Sequence, residues 1–123
     1  MANPIIILTN QPELSYTSNP VKGDGYYGYA DGLQTMSFHL SNFTGRIYAQ
    51  ATLLEQPEES DWFPIGLDLD TDYLEFDQET KTVGTSFQGN FVYLRVVVDR
   101  DYLGDTEYNV SQHGILDKAV LLI

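Results

Sequence analysis

The run from Gly89 to Val98, Gly-Asn-Phe-Val-Tyr-Leu-Arg-Val-Val-Val, is the most strongly strand-forming part of the chain. In an extended backbone alternate side chains point to opposite faces, so Val92, Leu94, Val96 and Val98 form one row and Phe91, Tyr93, Arg95 and Val97 the other. Arg95 is the single charge in either row, a pattern that predicts a central strand. The segment Arg46 to Leu53 alternates in the same way, with Ile47, Ala49, Ala51 and Leu53 against Arg46, Tyr48, Gln50 and Thr52. The two runs are expected to pair, with their apolar rows in one core.

The remaining pattern reads as further short strands. Ile5 to Thr9 starts after Pro4 and is stopped by Asn10-Gln11-Pro12, and Leu14 to Thr17 makes a short second strand. Met36, Phe38 and Leu40 alternate with Thr35, Ser37 and His39. Ser41-Asn42 then reads as the turn of a hairpin into a strand from Phe43 to Leu53. Val83 to Gln88 turns through Gly89-Asn90 into the central run, Glu107 to Ser111 begins another strand, and Lys118 to Ile123 is an apolar one. The helical period is missing throughout, and Ser111 to Leu116 alone leaves room for a helical turn. The reading is one domain, residues 1–123, an all-β antiparallel sandwich of about nine short strands, jelly-roll or Ig-like.

Composition narrows the function. With 123 residues the chain can bury a core without staples, and with no cysteine it has no thiolate zinc site or thiol nucleophile. Six basic against eighteen acidic residues give a net charge of -12, which argues against a nucleic-acid partner. Pro4 to Leu8 is too short an apolar stretch for a signal peptide or a membrane span, so a soluble protein with no membrane partner is expected. There is no phosphate-cradling glycine loop, no serine elbow and no His-x-x-x-His, and no enzyme activity is expected.

Ten acidic residues and no lysine or arginine lie between Glu55 and Glu79. Asp68, Asp70 and Asp72, with Glu79 further on, follow the spacing of a calcium loop. Tyr73 stands where that loop's tight turn wants glycine and no amphipathic helix flanks it, so the run is read as a solvated acidic rim, with no metal or other cofactor. His39 falls on the polar face of its strand, where a solvated histidine is expected. Tyr26, Tyr27 and Tyr29 among glycines, with Trp62, Tyr93 and Arg95, are the candidate contact residues for a partner. Arg95 is expected either to pair with an acidic loop residue or across a subunit contact, or to lie over Tyr93 on the solvent side of its sheet.

The succession Leu40-Ser-Asn-Phe-Thr-Gly-Arg-Ile-Tyr48, Ala51-Thr-Leu53, Pro57, Asp61-Trp-Phe-Pro-Ile65 and Gly89-Asn-Phe-Val-Tyr-Leu-Arg95 resembles small virion structural proteins of tailed bacteriophages, particularly myoviruses that infect cyanobacteria. The resemblance covers residues 36 to about 98. It implies a β-sandwich subunit of the virion (capsid decoration, neck, tail or baseplate) that contacts other virion proteins in repeated copies of a symmetric assembly, and it implies no catalytic residues. The competing reading is a carbohydrate-binding or adhesive module, in which Trp62, Tyr26, Tyr27 and Tyr29 would stack on sugar rings and the acidic run would hold calcium.

Overall fold

A single strand of 20 residues organises the molecule, and its two halves serve two different layers. In the computed structural model, which describes residues 4–27, 32–66 and 72–122, the strands are β1 (Ile5–Thr9), β2 (Tyr16–Thr17), β3 (Val21–Lys22), β4 (Leu33–Thr52), β5 (Phe63–Ile65), β6 (Leu74–Gln88), β7 (Tyr93–Asp99) and β8 (Ile115–Leu122). Two helical turns, α1 (Asp24–Tyr27) and α2 (Val110–His113), and 3-10 turns at Glu59–Asp61 and Asp101–Leu103 join them. Every pairing is antiparallel. The first half of β4 lies between β8 and the end of β6, and β1 extends that layer beyond β8. The second half lies between β7 on one side and β5 with the start of β6 on the other, and β2 and β3 border β7. The all-β sandwich is thus one sheet folded across its two long strands.

The fold line explains how β4 keeps one core on both sides of the bend. Its buried apolar residues are even-numbered up to Leu40 (Met36, Phe38, Leu40) and odd-numbered from Phe43 onward (Ile47, Ala49, Ala51). An extra residue is needed for that switch, and the register shifts between Leu40 and Phe43 supply it as a bulge. Asn42 on β4 (φ 52°) and Gln78 on β6 (φ 51°) both adopt left-handed backbone. The ladder bonds lost there are replaced reciprocally: Asn42 N–H donates to Thr80 Oγ1 at 2.8 Å, and Gln78 N–H to Thr44 Oγ1 at 3.0 Å. Ser41-Asn42 is therefore not the hairpin turn its composition suggests. The segments on either side both pair with β6, not with each other.

The expected pairing of the two apolar runs is present, with Ile47 opposite Val98, Ala49 opposite Val96 and Ala51 opposite Leu94, all fully buried. Leu53 departs from that row and is 61% exposed. Strand β4 ends at Thr52, whose carbonyl accepts from Val92 N–H and whose hydroxyl accepts from Leu54 N–H, so the chain leaves the sheet there. The strand expected at Glu107 to Ser111 is also absent. Asn109 caps α2 instead, its side-chain oxygen accepting from Ser111 N–H at 2.9 Å.

Beneath the bend sits Arg100, whose side chain is fully buried. Its guanidinium donates to four main-chain carbonyls, of Thr44, Glu13, Leu14 and His113, and lies over the rings of Phe43 and Tyr108. Burial pulls its pKa below the usual arginine value, the tyrosines around it opposing that shift. One cation thereby ties the loop before β2, the bulge of β4 and the end of α2 together. His113 beside it is buried too: Nδ1 accepts from Asn109 N–H at 3.0 Å, which leaves Nε2 to donate to Asp105 at 2.9 Å. Both ring nitrogens are engaged.

Candidate docking site

Strand register decides which side chains reach the outer face of the second layer. Across β4 and β7 the outward pairs are Arg46 with Asp99, Tyr48 with Val97 and Gln50 with Arg95. Lys22 of β3 faces outward beside Tyr93, since its neighbour Val21 sits opposite the buried Leu94. The 3-10 turn at Glu59–Asp61 then lays Trp62 over this surface. It is held by a reciprocal cap, Asp61 accepting from Glu58 N–H at 2.8 Å.

At the centre Arg95 is fixed on every side. Its Nε donates to Gln50 Oε1 at 2.7 Å, its two terminal nitrogens reach the two oxygens of Glu59 at 2.7 and 3.3 Å, and its Cζ lies over the Trp62 ring, 4.3 Å from the centroid. The hydrogen bond from Arg95, with its charge, holds the Glu59 carboxyl below the ordinary glutamate range. Toward one end Tyr93 packs 5.7 Å from Tyr26, which packs on Tyr27 and carries the Lys22 ammonium over its face at 4.4 Å. Toward the other end Arg46 lies between Tyr73 and Tyr102, 4.6 and 4.0 Å from their centroids, and bonds Glu75 at 2.6 Å. Tyr48 packs against Tyr73 at 5.4 Å. Between Tyr48 and β2 lies an open groove of about 340 Å³, walled by Thr17, Gln50, Val97, Asp99 and Asp101.

Five of the six aromatic and arginine residues singled out in sequence, Tyr26, Tyr27, Trp62, Tyr93 and Arg95, are brought together here, and Tyr29 lies outside the described residues. Arg95 takes the expected acidic-loop partner, Glu59, and its plane rests on Trp62. Sequence reading missed Tyr48, Tyr73, Tyr102, Arg46 and Gln50 as members of the face. The signal for Arg46, Tyr48 and Gln50 was present in the alternation, which already placed them opposite the core row; for Tyr73 and Tyr102, both outside the strands, no such signal exists. Of the calcium candidates, Asp68 and Asp70 lie outside the described residues. Glu79 makes an ion pair with Lys81 at 3.8 Å, and among the described residues no group of three His, Asp or Glu side chains is placed to hold a metal. His39 sits on the outer face of the first layer, bonded to Ser37 and Thr82.

No protein-family model matches the chain, and no curated protein sequence matches it. Among solved structures, the cleaved adhesin domain of Lys-gingipain from Porphyromonas gingivalis aligns over 99% of this chain and 94% of that one, with a TM-score of 0.31 and 8% identity. A likeness at that level carries nothing about function.

Proposed function

We propose that this protein is a non-enzymatic structural subunit of a phage virion, a decoration or a neck, tail or baseplate component, that docks on other virion proteins through the outer face of its second layer. The observation that carries the docking is the composition and order of that face. Tyrosine, tryptophan and arginine are the residues that dominate binding energy at protein interfaces, and here Arg46, Tyr48, Tyr93 and Arg95 sit on paired strands, with Arg95 held by Gln50 and Glu59 before any partner arrives. Little side-chain freedom is left to lose on association. The virion assignment is supported by the order of sequence pieces between residues 36 and 98. The net charge of -12 directs the face toward less acidic partners.

One observation favours a carbohydrate-binding module as the second reading: the groove beside Tyr48 combines an aromatic wall with amide, hydroxyl and carboxylate groups. Against it, one face of Trp62, the expected stacking ring, is occupied by the Arg95 guanidinium. The test is to mix the purified protein with particles lacking it and follow co-sedimentation. Binding at fixed stoichiometry that weakens as salt is raised is expected, and Trp62→Ala or Arg95→Ala should weaken it by about tenfold or more, as interface anchors do. Failure to bind any such particle, together with tight glycan binding or substrate turnover by the isolated protein, would overturn the proposal.

A further inference from the structure

The groove beside Tyr48 is built by strand register. Thr17 of β2, Val97 of β7 and Tyr48 of β4 stand in one row across three strands, and they face outward because their neighbours Tyr16, Val98 and Ile47 are buried. The row makes a floor that is aliphatic at its centre and aromatic at one side. Asp99 and Asp101 lie along the rim that adjoins Ser15. Each is oriented through one oxygen: Asp99 Oδ1 accepts from Asp101 N–H at 2.9 Å, and Asp101 Oδ1 accepts from the Ser15 hydroxyl at 2.8 Å, while Ser15 Oγ itself accepts from Arg100 N–H at 3.0 Å. That leaves Oδ2 of both aspartates for another donor. Among the described residues neither aspartate forms an ion pair. Arg46, opposite Asp99 in register, bonds Glu75 and is held between Tyr73 and Tyr102, and Arg95 bonds Glu59. Both arginines of this face are thus committed to glutamates.

We infer that this groove receives one arginine side chain of the docking partner, with its guanidinium at Asp99 and Asp101 and its aliphatic stem over Val97 beside Tyr48. The inference rests on the docking proposed for this face and names the group that the docking recognises. Charge complementarity selects the occupant: two oriented carboxylates without a cation of their own, on a chain of net charge -12, favour a positive group. Size limits it to a side chain, since a groove of about 340 Å³ is at the small end of ligand sites, which run from about 300 to 1,000 Å³. The mixture of walls favours arginine over lysine. A guanidinium is planar, more weakly hydrated than an ammonium, stacks on aromatic rings and offers forked donors to paired acceptors. The stem covers apolar surface while the head keeps its polar partners. Gln50 on the opposite rim already accepts from Arg95, so the acceptors left for a cation are on the aspartate side.

The test is an NMR titration of the isolated full chain with N-acetyl-arginine N-methylamide, whose termini are uncharged, and with the matching citrulline derivative, which keeps the shape and lacks the charge. Saturable shifts confined to the amides of groove residues such as Thr17, Gln50, Val97 and Asp99 are expected, with a Kd on the order of 1 mM for a single stacked and bonded side chain. The citrulline derivative should bind about tenfold more weakly or less. Asp99→Asn combined with Asp101→Asn keeps the oxygens that accept from Asp101 N–H and Ser15 and removes both charges, so the fold should persist while the affinity falls by about tenfold or more. Should the pair disturb the amide spectrum, Asp101→Asn alone, at an exposed residue, carries the comparison. Shifts scattered over the acidic surface, no binding, equal binding of the citrulline derivative, or an unchanged affinity in the variant would overturn the inference. So would a neutral trisaccharide that shifts the groove amides where the arginine derivative does not. No particle enters this titration, so its failure is distinct from a failure to co-sediment.

Discussion

Arg100 shows how much of this fold hangs on a single side chain. Its guanidinium satisfies carbonyls from three separate segments, and among the described residues no carboxylate is a hydrogen-bond partner. Arg100→Leu would leave those carbonyls buried without donors, at about 1–3 kcal/mol for each one that water cannot reach, so a total loss of about 3–5 kcal/mol is expected in urea unfolding. Arg100→Lys should rescue little of it, since an ammonium cannot span the fork. Nothing in the sequence marked this residue. Asp99-Arg100-Asp101 reads as a polar loop, and burial of its middle member follows only from the bulge and α2 closing over it. At Arg95 the sequence said more, because one charge in an apolar row needs a partner, though which carboxylate answers depends on where the loop after β4 returns.

The Glu59 to Arg95 contact also sets a pH dependence at this scale. Glu59 titrates below its ordinary range in the folded protein, so its contribution is complete above the unfolded glutamate pKa, and falls away as pH drops through the lowered folded value. Trp62, stacked on the same guanidinium, should report that titration by fluorescence. A midpoint below that of a free glutamate is expected, and Glu59→Gln should remove the transition. An unchanged transition in the variant would separate Glu59 from the signal.

Among the elements, the paired central strands were legible and the bend was not. Alternation alone placed Ile47, Ala49 and Ala51 with Leu94, Val96 and Val98, because a half-buried strand must alternate whatever its neighbours are. Ser41-Asn42 suits a turn and a bulge equally well. What distinguishes them is a partner strand long enough to span both segments, and β6 became visible as 15 residues only in three dimensions, its first half being hidden in the acidic run. Two substitutions probe these elements. Leu94→Asp places an unpaired charge where no water reaches and should abolish soluble folded protein. Gly45→Ala puts a methyl 2.9 Å from Arg100 Cγ at a residue with φ of 149°, and should destabilise by about 1–3 kcal/mol in thermal or urea unfolding. A Leu94→Asp protein that folds with an unchanged thermal midpoint would remove β7 from the centre of the fold.

For the whole molecule, the proposed docking of this acidic chain on a less acidic surface should weaken as salt rises. The aromatic residues of the docking face were individually visible in the sequence. Their assembly into one surface was not, because Tyr26, Trp62 and Tyr93 come from three segments that meet only when β3, the 3-10 turn and β7 are in place. The most direct measurement is an electron cryo-microscopy map of a virion that contains this protein, at a resolution that shows side chains. The account predicts repeated copies with Trp62, Arg95 and Tyr93 covered by a different, less acidic virion protein. Copies whose second-layer outer face looks into solvent while another surface makes the contact would contradict it.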